Sequence, residues 1–243
     1  MDAEPRIALV TGGARRIGAA IVRALHGAGC SVVIHCRASR DDADTLAAEL
    51  NRARAGSAAV ECADLLDLAA IDALVARAAA HWGGLDVLVN NASTFYPTAV
   101  GTTTEREWDD LVGTNLKAPF FASQAAAPWL AARGGAIVNV IDTHASRPLK
   151  DHPVYTSAKA GLAMLTRSLA RELGPRVRVN GVAPGAVLWP AAGLDDAVTR
   201  QVVDASALKR QGTPDDVASA VRYLALEATF VTGQVLAVDG GRF

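Results

Sequence analysis

Thr11-Gly12-Gly13-Ala14-Arg15-Arg16-Ile17-Gly18 follows the β-branched run at residues 6–11 (RIALVT) and opens an alanine-rich, helically spaced stretch at 17–26. A strand that turns through glycines into a helix lets backbone N–H groups approach a pyrophosphate at the helix's positive N-terminus. Gly12, Arg16, Ile17 and Gly18 are therefore candidate dinucleotide contacts. The same two kinds of segment alternate through the rest of the chain. Short apolar runs recur at 31–36, 58–62, 85–90, 136–141, 177–182 and 234–238, with helical spacing at 41–55, 68–82 and 158–173. Runs this continuous suit parallel strands covered on both faces. The expectation is one α/β domain over residues 1–243: a doubly wound, Rossmann-type, mostly parallel seven-stranded sheet with helices on both faces. Its ligand would lie beyond the carboxyl ends of the strands.

Composition narrows the class. Hydrophobic residues make up 51% of 243, and 24 basic residues nearly balance 25 acidic ones. That argues for a packed core and against a nucleic-acid surface that works by bulk charge. Three cysteines (Cys30, Cys36, Cys62) have no CxxC spacing, and five scattered histidines show no ligand pattern, so neither a disulfide framework nor a metal site is indicated. The acidic start, Met-Asp-Ala-Glu-Pro, lacks the pattern of a signal peptide, and no apolar run is long enough to span a bilayer. A soluble cytoplasmic protein without membrane contact is expected.

The later strand ends specify the cofactor. An NAD site usually carries an acid after the second strand, to bind the ribose 2′-hydroxyl. Here the strand leads into His35-Cys36-Arg37-Ala38-Ser39-Arg40, with no acid before Asp41. Arg37 can pair with a 2′-phosphate, and Arg16 adds charge from the first turn, so NADPH/NADP+ is the expected cofactor, with His35, Arg37 and Ser39 beside it. Asp64-Leu65 after the third strand suits the adenine, and Asn91-Ala92-Ser93 after the fourth leaves room for the adenosine ribose.

The chemistry rests on Tyr155-Thr156-Ser157-Ala158-Lys159. At i,i+4 on a helix, the phenol and the ammonium project from one face. A nearby cation favours phenolate and would draw the tyrosine down from its ordinary pKa of about 10. The lysine can also hold the nicotinamide ribose.

TGGARRIG, NNAS, GTN, YTSAK, VRVNGVAPG and a terminal VDGG together resemble the short-chain dehydrogenase/reductase family over almost the whole chain. Arg16 replaces the middle glycine of that family's TGxxxGxG turn, and Asp142 stands where most members have serine. With the FYPT segment after Ser93, these departures resemble the pteridine reductase branch, which reduces pterins and folates with NADPH. The resemblance implies catalytic roles for Asp142, Tyr155 and Lys159, with Asn115 supporting the lysine through water. It implies pterin contacts from Arg16, Ser93, Phe95, Asp142, Tyr155 and Trp189. It also implies cofactor contacts from Pro184 and Gly185, a substrate loop at about 185–210, and a homotetramer. Chemically, pterin ring nitrogens must gain protons as hydride reaches an adjacent carbon, and a carboxyl with a raised pKa can supply or relay one. Phe95 can stack on the flat ring. Two alternatives remain open. A carbonyl or 3-ketoacyl thioester reductase would have favoured serine at position 142. A non-catalytic dinucleotide-binding redox sensor would need neither Tyr155 nor Lys159 as an acid pair.

Overall fold

The computed structural model describes residues 5–187 and 196–242. Seven strands form one sheet in the order β3-β2-β1-β4-β5-β6-β7. They are β1 (Ile7–Val10), β2 (Ser31–Cys36), β3 (Ala58–Cys62), β4 (Val87–Asn90), β5 (Ala136–Val140), β6 (Arg178–Pro184) and β7 (Val235–Val238). Every pairing between these strands is parallel. Alternate residues along the central strands supply two cores, while the edge strands β3 and β7 are only partly buried. Ala8, Val10, Val32, Ile34 and Val89 pack under α1 (Arg16–Gly27), α2 (Arg40–Ala53) and α8 (Pro214–Leu226). Ile7, Leu9, Val33, Leu88 and Ile137 pack under α3 (Leu68–Ala80), α5 (Ala118–Arg133) and α6 (Pro153–Leu173). Each fully buried aliphatic side chain contributes about 1.5–3 kcal/mol, which explains why the strands read as continuous apolar runs.

Strand order reverses between β1 and β4, and this opens the crevice that α/β sheets use for ligands. Two helices have conventional starts. Thr104 and Glu107 form a capping box for α4 (Glu105–Val112), and Thr213 and Asp216 do the same for α8. Helix α1 differs: its N-cap, Arg15, makes no side-chain capping bond, and no acid lies in its first turn. Ile17 and Gly18 of its first turn line the crevice.

The helically spaced stretch at 158–173 is the later part of α6, which begins at Pro153, so Tyr155 and Lys159 share one helix as their i,i+4 spacing implies. Between α4 and α5 the chain makes a π-helical turn, Gly113–Lys117, which widens the helix at Asn115. The loop expected at 185–210 ends in part on α7 (Asp196–Asp204), and Trp189 lies outside the described residues. No helix among the described residues is long and apolar enough to cross a membrane.

Candidate active site

The glycine turn is held by hydrogen bonds from neighbouring strand ends. Asn91 Nδ2 donates to the Thr11 and Gly12 carbonyls at 2.9 and 3.0 Å. Thr11 Oγ1 accepts from the backbone N–H groups of Asn91 and Ala92. His35 Nδ1 accepts from the Gly12 N–H at 3.1 Å, while its Nε2 faces the Ala63 carbonyl at 3.2 Å. This pairing requires the neutral tautomer protonated on Nε2, and burial lowers the histidine's pKa in the same sense. His35 thus braces the turn with both nitrogens. Gly12 has φ +60°, and a Cβ there would meet Ala92 Cα at 2.9 Å. Arg16 also lies in the left-handed region, at φ +53°. A side chain where glycine is conformationally preferred costs on the order of 1 kcal/mol, a type of strain that clusters at functional sites.

Above this turn lies a cleft of about 370 Å³. Arg16, Ile17, Gly18, Arg37 and Asp64 line one end, and Leu65, Asn91, Ala92 and Ser93 carry the lining towards the other. Ser39 is not in the lining; it precedes α2 without a side-chain capping bond. Pro184 and Gly185 close the carboxyl end of β6, where the Gly185 N–H donates to the Val238 carbonyl, also outside that lining. A larger hollow of about 740 Å³ lies against α4. It contains none of the phenol, carboxyl or buried lysine groups described next.

Beyond Ser93, four elements converge. Helix α6 supplies Tyr155, whose Oη donates to Asp142 Oδ2 at 2.7 Å. Asp142 follows β5, and its other oxygen accepts from the His144 N–H, capping the short 3₁₀ turn Thr143–Ala145. The carboxylate is thereby both a loop residue and the tyrosine's partner. Phe95, 52% exposed, sets its ring edge-on to Tyr155 at 4.8 Å and stacks on His152 at 4.7 Å. It is not a core anchor. His152 was not anticipated; no spacing rule links it to Phe95, because folding alone brings the two loops together.

One expectation needs correction. Lys159 does not draw the tyrosine down. Burial and then the Asp142 charge push the Tyr155 phenol well above its ordinary pKa, with only the Ser93 hydroxyl opposing. The tyrosine stays protonated and shares its hydrogen with Asp142. Lys159 is buried, lies 5.8 Å from the Tyr155 ring centroid, and donates to the Val140 carbonyl at 3.0 Å. Burial brings it down to about 8, although Asp142 favours its charge. The Asn115 side chain is fully buried. Its Nδ2 donates to the Thr94 and Leu111 carbonyls at 2.9 and 3.0 Å, and its Oδ1 accepts from Ser93 at 2.6 Å. Asn115 therefore positions the Ser93–Thr94 segment.

Comparison with known proteins fits this geometry. The family model described as enoyl-(acyl carrier protein) reductase matches residues 12–242. The chain belongs to the short-chain dehydrogenase/reductase family. Pteridine reductase 1 of Leishmania tarentolae is 37% identical, covering 97% of this chain and 95% of the relative. The 3-oxoacyl-(acyl-carrier-protein) reductase FabG of Staphylococcus aureus is 35% identical, covering 97% of each chain. Among solved structures, a blue fluorescent protein from a metagenomic library, in complex with NADPH, superposes with a TM-score of 0.90 at 35% identity over 97% of each chain. As a short-chain dehydrogenase/reductase, the protein is an oxidoreductase.

Proposed function

We propose that this reductase transfers hydride from NADPH to a pterin, either a dihydropterin, an oxidised pterin or dihydrofolate. The observation that carries this reading is the 2.7 Å hydrogen bond from Tyr155 Oη to Asp142 Oδ2 beside the exposed ring of Phe95. The cleft suits the cofactor, since it is lined by the glycine turn and by the N-terminal end of α1, where a pyrophosphate is favoured. Arg37 and Arg16 would meet the 2′-phosphate and neighbouring anionic oxygens, and Asp64 the adenine. NADPH supplies the hydride when bound.

Tyr155 and Asp142 hold one proton between Oη and Oδ2. A ring nitrogen arriving at either oxygen can draw on that proton, whereas a ketone needs only a neutral hydroxyl beside the tyrosine. Phe95 offers a flat apolar face, and His152 behind it limits its rotation. Ser93, oriented by Asn115, reaches from the cofactor cleft towards the phenol. Assembly into a homotetramer belongs to the same proposal, supported by the exposed Phe120 and Trp129 on α5 and Met164 on α6.

The 35% identity to a 3-oxoacyl reductase favours a second reading, reduction of a β-ketoacyl thioester. NADPH oxidation measured across dihydrobiopterin, dihydrofolate, oxidised biopterin and one β-ketoacyl thioester separates the two. Turnover of a pterin is expected, with kcat lowered and KM little changed in Asp142→Asn. Turnover of the thioester alone would overturn the pterin assignment.

A further inference from the structure

Cys36 and Cys62 are 26 positions apart in sequence, but the parallel register of β2 and β3 sets them opposite each other. Their sulfurs lie 3.1 Å apart. Neighbouring strands run about 4.8 Å apart, inside the roughly 4.4–6.8 Å Cα separation a disulfide spans. Closing the pair to about 2.05 Å moves the two sulfurs together by only about 1 Å. The pair also differs internally. Cys62 is exposed, with the Arg40 guanidinium 3.9 Å from its sulfur, whereas Cys36 is buried.

The pair sits where the cofactor cleft begins. Arg37 follows Cys36 directly, and Asp64 comes two residues after Cys62. The Ala63 N–H donates to the Cys36 carbonyl at 3.2 Å, and the Ala63 carbonyl faces His35 Nε2, whose other nitrogen holds Gly12. Movement of the β2–β3 ends is therefore transmitted to the glycine turn as well as to Arg37 and Asp64.

We infer that Cys36 and Cys62 form a modification site: a dithiol that a small-molecule disulfide oxidises to an intrachain disulfide, weakening NADPH binding. The Cys62 thiolate attacks one sulfur of the external disulfide, forming a mixed disulfide and releasing one thiol. Cys36 then attacks the Cys62 sulfur, giving up its proton and releasing the second thiol. Two protein thiols are oxidised and one external disulfide is reduced to two thiols, so electrons and protons balance. Exposure of Cys62 assigns it the first attack and leaves the buried Cys36, whose thiol burial and the contact with Cys62 push up, to act intramolecularly. Cys30 is buried, with its thiol pushed up to about 11 and no cysteine partner, and it serves as the internal control.

The test uses the whole protein equilibrated in oxidised and reduced glutathione. Intact-mass and peptide analysis should show loss of two hydrogens, a 36–62 cross-link and a free Cys30. NADPH titrated calorimetrically should bind the oxidised form at least about fivefold more weakly, with recovery in dithiothreitol. By linkage, saturating NADPH should shift the dithiol–disulfide equilibrium towards the dithiol by the same factor. Cys62→Ser should retain NADPH affinity and lose its response to oxidation. A glutathione adduct on Cys62 with no cross-link, or a cross-linked form that binds NADPH as tightly as the dithiol, would overturn the inference. Neither readout uses a pterin, so the substrate assignment can fail independently.

Discussion

The two ends of the crevice are built on opposite plans. At the β1–β2 end, Asn91, Thr11 and His35 direct their polar groups to protein backbone, and the turn they brace presents N–H groups and a rim of arginine. At the β4–β5 end, Tyr155 and Asp142 are tied mainly to each other, and Phe95 stands half exposed. In the proposed function the first end recognises a phosphate-bearing cofactor through fixed dipoles and charge, and such recognition tolerates any substrate. The second end holds a proton and a flat apolar face, and in the same proposal a few side chains there determine which substrate reacts. Two relatives with different named substrates, at 37% and 35% identity, fit this division.

Substitutions that affect one end without the other test the contrast. The largest effect is expected from Tyr155→Phe, which removes the shared proton. Turnover should fall by about 10²-fold or more, while calorimetric NADPH affinity stays within error. A matching loss of NADPH affinity would show that the two ends are not separable.

Next is Lys159→Met. The ammonium's pKa falls from 10.5 to about 8 on folding, so between those values the unfolded chain holds the extra proton. Wild-type stability should therefore rise with pH across that window. At pH 7 the variant should be more stable than wild type by about 2 kcal/mol in urea unfolding, after allowing for the lost bond to Val140. The gap should close towards pH 10.5. A variant destabilised at every pH would mean that the bond to Val140 outweighs the buried charge.

A smaller effect belongs to the cofactor rim. Arg37→Asp should lower the preference for NADPH over NADH by about tenfold in kcat/KM, by replacing a phosphate partner with a repelling charge. Equal losses for both cofactors would assign Arg37 to general stability. The smallest is Phe95→Ala, which should raise pterin KM about fivefold, the scale of one aromatic contact, and leave kcat and NADPH KM nearly unchanged. A kcat loss larger than the KM change would mean that the ring positions Tyr155 instead of the substrate.

Local pattern determined most of the architecture. All seven strands lie on the apolar runs read from sequence; the five central ones are buried, because a strand covered on both faces must be apolar at consecutive positions, whereas the edge strands β3 and β7 are only partly covered. The glycine turn, the missing acid after β2, and the Tyr155–Lys159 spacing are likewise short-range signals. What required tertiary structure depended on partners distant in sequence or on burial. Asp142 and Tyr155, 13 positions apart, meet only because β5 delivers one beside the helix that carries the other. The Tyr155 phenol moves opposite to the sequence expectation because spacing reveals the nearby lysine but neither the depth of burial nor the bond to Asp142. Asn115 turns to Ser93 and Thr94 because a π-helical turn, invisible in composition, redirects it. Cys36 faces Cys62 because strand register, not spacing, decides which side chains are neighbours across a sheet.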